Sequence, residues 1–185
     1  MDDGLPRCDW ATSTPDYVAY HDEEWGTPLR ADDALFERLC LEGFQSGLSW
    51  ITILRKRPAF RAAFAGFSID AVAAFTAEDE ARLLADAGIV RNRAKIAAAV
   101  RNARAAQQLD EGLDALLWSF APDPPPARPA TVRDVPATTP ASVAMARELK
   151  RRGFVFVGPT TAYALMQATG MVDDHVADCW RAGPA

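Results

Sequence analysis

Gly153-Phe-Val-Phe-Val-Gly158-Pro-Thr-Thr-Ala162-Tyr163 is a short apolar turn, closed by glycine and proline, that launches directly into a helix. The segment before it opens on Thr139-Pro140, a capping threonine followed by proline at the first helical position, and ends at Gly153. The helix after the turn starts with unpaired backbone N–H groups around Gly158 and Thr160, a ready site for a phosphate. A tight connection between packed helices would use the same residues, so the turn alone is compatible with both readings. Lys150, Arg151 and Arg152 just upstream favour the phosphate. A second basic cluster, Arg91, Arg93 and Lys95, reads equally as a solvated face.

Outward from the turn, alanine-rich stretches with apolar residues at helical spacing recur and alternating strand patterns do not, which makes the fold class all-α. Asp32 or Asp33 is placed to cap a helix that ends at Gly43, and a second runs from about Leu48 to Arg57, where Pro58 breaks it. Ser68 and Thr76 cap two short helices, the second ending near Gly88. The longest helix covers roughly 92–109, and a further turn or two covers Leu113–Phe120. Pro122, Pro124, Pro125, Pro126, Pro129 and Pro136 then mark an irregular connection at about 121–137, read as a crossing between two packed lobes of a single domain spanning 1–185.

With 49% hydrophobic residues in 185 the chain can bury a real core. It shows neither a secretory leader nor an apolar run of membrane-spanning length, so the expectation is a cytoplasmic protein without a membrane partner. A net charge of −5 argues against nucleic-acid binding by bulk electrostatics and leaves only a local surface for it. Cys40, alone in an apolar helical pattern, fits a reducing compartment better than a disulfide framework.

The other two cysteines pair with the two histidines as half-sites at opposite ends, Cys8 with His21 and His175 with Cys179. Two thiolates and two imidazoles form a closed tetrahedral zinc site with no position left for substrate, so one structural Zn2+ joining the terminal segments is expected. His175 and Cys179 stand at i and i+4, which on a helix would place them on one face. The alternative, a satisfied core histidine with incidental cysteines, leaves the use of both histidines unexplained.

Trp10, Tyr17, Tyr20 and Trp25 crowd around His21, and Trp50 follows Glu42-Gly43-Phe44-Gln45-Ser46-Gly47-Leu48-Ser49. Any one of these aromatics is accounted for by ordinary packing; the group beside Glu42 points to a pocket. An aromatic cage with one carboxylate suits a flat, cationic ligand, because π-faces attract cations and a carboxylate accepts from exocyclic N–H donors.

Arg7-Cys8-x-Trp10, Tyr20-His21-Asp-Glu-Glu-Trp25-Gly26, Cys40-Leu-Glu42-Gly43-x-Gln45-x-Gly47-Leu-Ser-Trp50, Ala87-Gly88-Ile-Val-Arg91, Leu117-Trp118-Ser-Phe120, Lys150-Arg-Arg-Gly-Phe-x-Phe-Val-Gly158 and Asp174-His175 together resemble the bacterial 3-methyladenine DNA glycosylase I family, in order, from about Arg7 to Cys179. The resemblance implies a helix-hairpin-helix glycosylase-like bundle. It also implies a monofunctional enzyme that flips 3-methyladenine out of double-stranded alkylated DNA and hydrolyses its N-glycosidic bond, working as a monomer. By the same resemblance Glu42 recognises the base, Tyr20 assists, Trp10 and Trp50 stack on it, and Tyr17 and Trp25 complete the cage. Gly47 and Leu48 match the position that wedges into the duplex.

Elsewhere in that superfamily a Val-Asp-x-His stretch carries a catalytic aspartate, and Val172-Asp173-Asp174-His175 has the same look. Members of the family manage without that acid, which leaves Asp173 as an oxocarbenium stabiliser or as a helix cap or partner of the zinc ligand. Two other classes fit parts of the pattern. A zinc-stapled module could recognise modified bases without chemistry, and a zinc enzyme could activate water. Four protein ligands argue against the second.

Overall fold

The computed structural model describes residues 4–182, and among them every regular element is helical. A 3-10 turn at Asp9–Ser13 leads into α1 (Pro15–Glu23), opened by Thr14, whose hydroxyl accepts the N–H of Tyr17. Next come α2 (Asp32–Gln45), α3 (Trp50–Ala63), the short α4 (Ile69–Ala73) and α5 (Ala77–Ala85). They are followed by α6 (Arg93–Ala106) and α7 (Gly112–Trp118). An irregular stretch with one 3-10 turn at Val132–Asp134 precedes α8 (Pro140–Arg151) and α9 (Pro159–Ala168).

The central element is α2. Leu35, Phe36, Leu39, Leu41 and Phe44 are no more than 1% exposed, and the helix packs on α3, α6, α7 and α9. Each such side chain contributes about 1.5–3 kcal/mol by leaving water. Phe44, Phe60, Phe64 and Phe67 continue this core in edge-on and stacked contacts. Cys40 belongs to it as an apolar residue, 4% exposed.

Where a boundary signal is local, the helices begin as expected. Ser68 accepts from Ala71 N, Thr76 and Asp79 form a capping box, and Thr139 accepts from Ser142 N. Three expectations fail for tertiary reasons. Asp32 and Asp33 do not cap α2; their carboxylates accept from Asp114 N on α7 and from Ile69 N on α4, serving the starts of two other helices. Pro58 does not end α3, which runs on to Ala63. Phe60 packing on Phe44 and the Arg61–Glu37 ion pair hold the helix beyond it, outweighing the missing hydrogen bond. Gly43 lies inside α2, where a Cβ would stand 3.9 Å from the Phe156 carbonyl oxygen.

The N-terminal and C-terminal segments among the described residues meet at one side of the helical core. Trp180 N donates to Pro6 O at 2.8 Å, and Leu29 N donates to Thr169 O at 3.1 Å. Gly170, at φ +71°, permits the second approach, since a Cβ there would lie 2.6 Å from Pro28 N.

Candidate active site and metal centre

Cys8, His21, His175 and Cys179 are all buried, and their ligand atoms lie within 4.8 Å of one another. Cys179 Sγ stands 3.4 Å from His21 Nε2 and 3.5 Å from His175 Nδ1, and Cys8 Sγ is 3.9 Å from His175 Nδ1. A tetrahedron with zinc bond lengths has S···N edges of about 3.6 Å, so the set fits such an ion. The ring nitrogens turned away from the cluster are also held: His21 Nδ1 meets Asp22 at 2.7 Å, and His175 Nε2 meets the Trp25 carbonyl at 3.2 Å. Both rings are thus fixed in the tautomer that offers a lone pair inward.

Burial lowers His175 to about 4 and lowers His21 as well, so both imidazoles are neutral, the form that ligates. Burial also pushes the Cys8 thiol up to about 12, a penalty that a bound cation would reverse. The expectation of a helix under His175 and Cys179 is not met. Cys179 N donates to Val176 O and Ala177 N to Pro129 O, so a turn brings the two side chains together.

Beside this cluster lies a cleft of about 400 Å³. Trp10, Tyr17, Tyr20, Trp25, Glu42 and Trp50 all line it, together with Cys8 itself. Trp10 packs edge-on against Trp25 at 5.1 Å and against the His21 ring at 5.4 Å, and Trp25 packs on His175 at 4.7 Å. The aromatic wall therefore rests directly on the imidazoles. Gly26 lets it approach, because at φ +75° a Cβ would stand 2.9 Å from His175 Nε2. Opposite, Tyr20 and Trp50 stand 5.4 Å apart, and Tyr17 Oη accepts the Ile51 N–H of α3.

Glu42 is 6% exposed, and no donor among the described residues hydrogen-bonds to it. Arg38, one turn earlier on α2, is drawn instead to Glu24, which also binds Arg57 at 2.7 Å. Burial pushes Glu42 up to about 8, with the Arg38 charge pulling only partly against it. The indole N–H of Trp50, a residue that also lines the cleft, is buried without a hydrogen-bond partner among the described residues. A buried unpaired acceptor and a buried unpaired donor facing one cavity describe a site built for a ligand with both kinds of group.

Gln45, Val132, Val135, Ala164, Gln167 and Asp174 also line the cleft. Gln45 and Asp174 lie within the motifs that carry the family resemblance, whereas Val132 and Val135 come from the proline-rich connection, whose sequence gives no signal of a pocket. Asp174 is buried and accepts from Tyr163 Oη and Gln167 Nε2, both at 2.7 Å. Asp173 is not among the lining residues. Its carboxylate accepts from His175 N and pairs with Arg128 at 2.6 Å.

At the rim, Leu48 is exposed next to Gly47, which takes φ +80°. Gly158 and Thr160 are exposed at the start of α9, and no side chain caps that helix. Of the upstream basic residues, Arg151 and Arg152 bind Glu148, while Lys150 faces the groove between Ser46 and the turn.

A sequence model described as methyladenine glycosylase matches residues 10–182. The chain belongs to this family. DNA-3-methyladenine glycosylase 1 of Escherichia coli (strain K12) is 48% identical to it over 95% of this chain and 96% of the relative. A crystal structure of a 3-methyladenine DNA glycosylase I superposes with a TM-score of 0.91 at 47% identity, covering 96% of this chain and all of the other. A variant of a 3-methyladenine DNA glycosylase I, solved in complex with 3-methyladenine, matches at a TM-score of 0.88 and 35% identity over 94% of this chain and 96% of that one. The match that places the chain among the methyladenine glycosylases takes in the aromatic cleft residues from Trp10 onward with His21, His175 and Cys179, and Cys8 lies just before it.

Proposed function

We propose that this chain is a monofunctional glycosylase that extrudes 3-methyladenine from alkylated duplex DNA and hydrolyses its N-glycosidic bond, leaving an abasic site. The carrying observation is Glu42, a buried carboxyl group in an aromatic cleft with no hydrogen-bond partner among the described residues. N3-methylation makes adenine a delocalised cation with an exocyclic amino group, and cation and amino donor are what such a carboxylate lacks. Trp10 and Trp50 offer π-faces to the base, and stacking contributes roughly 1–3 kcal/mol per aromatic partner. The departing base is neutral, so no strong acid is required of the protein, which has to bind, orient and admit water.

In this reading Leu48, with Gly47 beside it, fills the gap left in the duplex, and the open N–H groups after Gly158, with Thr160, hold a phosphate in the manner of a helix-hairpin-helix turn. Cys8, His21, His175 and Cys179 would hold zinc, which when bound supplies a fixed cross-link between the two ends. The reading takes the chain as one domain of two packed lobes, acting as a monomer. It carries a cytoplasmic location with it, where a bacterial chromosome lies; no helix among the described residues is long and apolar enough to cross a membrane.

The test is incubation with methylated duplex DNA and chromatography of the released bases. A 3-methyladenine peak is expected; base binding without release would turn the reading into the non-catalytic module. Asp173→Asn should excise within about twofold of wild type, because asparagine keeps an acceptor for His175 N and loses only a partly exposed ion pair, worth up to about 1 kcal/mol. A loss of more than about tenfold in single-turnover rate would instead put Asp173 in the chemistry.

A further inference from the structure

The base cleft leaves two buried polar side chains of α6 unused. Lys95, in the first turn of α6 and 9% exposed, shares a basic cluster in the sequence with Arg91 and Arg93 but not a solvated face. Its ammonium instead donates to the carbonyls of Phe44, at 2.9 Å, and Ser46, at 2.5 Å. Asn102, two turns further along and 4% exposed, holds Val155 from both sides: Nδ2 donates to its carbonyl at 3.0 Å and Oδ1 accepts its N–H at 2.8 Å. Arg101 Nε adds a bond to Gly153 O at 3.0 Å.

Among the described residues, these backbone groups lie at or beyond helix ends, where no regular helical partner is available. Phe44 and Ser46 lie where α2 runs out of acceptor-satisfying N–H groups, immediately before Gly47 and Leu48. A cation at that end also answers the helix dipole. Val155 sits in the turn between α8 and α9, three residues before Gly158. One rigid helix thus grips the root of each rim loop. Lys95 is unsuited to a direct phosphate contact, since two of its three donors are spent on carbonyls and the side chain is buried.

We propose that Lys95 and Asn102 are positioning residues that lock the Gly47–Leu48 loop and the turn leading to Gly158 into one register, so that a grip on the DNA backbone and insertion of Leu48 occur together. The proposal rests on the reading of Leu48 as the group that fills the duplex. A misplacement of about 1 Å far from the reacting bond can cost on the order of a hundredfold. The cost should fall on extrusion from a duplex and spare a base that is already unpaired.

The test compares single-turnover release of 3-methyladenine from a methylated oligonucleotide as duplex and as the unpaired strand, for wild type, Lys95→Met, Asn102→Ala, Leu48→Ala and the Lys95→Met/Leu48→Ala pair. Lys95→Met and Asn102→Ala should each lose about 10- to 100-fold on duplex and less than about threefold on single strand, with affinity for free 3-methyladenine within about twofold. Lys95→Arg, which keeps N–H donors, should regain most of the rate. In the Leu48→Ala background Lys95→Met should cost little more, because the loop it positions no longer carries the wedge. Equal losses on both substrates, weakened base binding, additivity with Leu48→Ala, or no loss in a folded variant would overturn the proposal. Should Lys95→Met not fold, Asn102→Ala decides on the same criteria. A Leu48→Ala protein that excises from duplex like wild type would defeat the wedge reading itself, a failure distinct from a duplex defect in Leu48→Ala that Lys95→Met does not share.

Discussion

Glu42→Ala should lower single-turnover excision of 3-methyladenine from duplex DNA by between about a hundredfold and a few thousandfold, with the chain folded and no less stable than wild type. Removing one partner of a buried charge pair leaves the other charge uncompensated, at a cost of about 3–5 kcal/mol. Here the abandoned charge would be the cationic base, held between aromatic faces in a cleft with no other anion free to replace Glu42: Asp174 is already bound by Tyr163 and Gln167, and Glu24 by Arg38 and Arg57. Stability moves the other way, because an unpaired buried carboxyl is itself a burden and its loss opens into an existing cleft. Glu42→Gln keeps the shape and an acceptor and should recover part of the rate.

The same residue sets a pH dependence. The charge on the lesion is fixed, so titration belongs to the protein, and Glu42 in the empty cleft sits at about 8. Its pKa is raised, so below that value the free protein holds it neutral and each unit of acidification cuts the ionised share about tenfold. Accordingly kcat/KM, which reports free-enzyme groups, should rise with pH and level off near 8, whereas kcat should show little of this step because the bound cation draws the proton off. Glu42→Gln should flatten the kcat/KM profile. A wild-type profile flat from pH 6 to 9, or normal excision by Glu42→Ala, would remove Glu42 from recognition.

The cluster of residues that lines this cleft is legible in the sequence, whereas the burial that raises Glu42 is not. Trp10, Tyr17, Tyr20 and Trp25 gather around His21 in both sequence and space because the 3-10 turn, α1 and the residues just after it form one local stretch, while Glu42 near the end of α2 and Trp50 at the start of α3 flank a single short loop. Thr139, Ser68 and Thr76 were legible because a cap and the N–H it accepts lie within three residues. Asp32 and Asp33 were not, since their partners lie 82 and 36 residues away. Lys95 looked like its neighbours Arg91 and Arg93 because charge is visible in a sequence and burial is not. Adjacent aspartates 173 and 174 differ only in which faces the cleft, a distinction made by the turn through Val176 and Cys179 and by Arg128.

With the proposed metal held by this cluster, Cys179→Ala, or chelation of the wild type, should release it and lower the unfolding free energy by about 3–5 kcal/mol, equivalent to a fall in Tm of roughly 6–20 °C for a chain of this size. The site joins segments that are 158 residues apart at His21 and Cys179, and a handful of hydrogen bonds tie them otherwise, among them Trp180 N to Pro6 O, Trp180 Nε1 to Asp22, and Arg181 to Thr27. The central core of α2, α3 and α6 does not depend on them, so the damage should be graded. Amide exchange should accelerate first in α1 and the 175–181 segment and least in α2. Because Trp10 and Trp25 pack on His21 and His175, the base-binding wall should loosen with the clamp, and affinity for free 3-methyladenine should fall together with excision. A metal that activated water would behave differently: its loss would abolish release while leaving Tm and base affinity near wild type. That outcome would overturn the structural assignment, and with it the view that the two cysteine–histidine pairs act on the reaction only through the wall they hold in place.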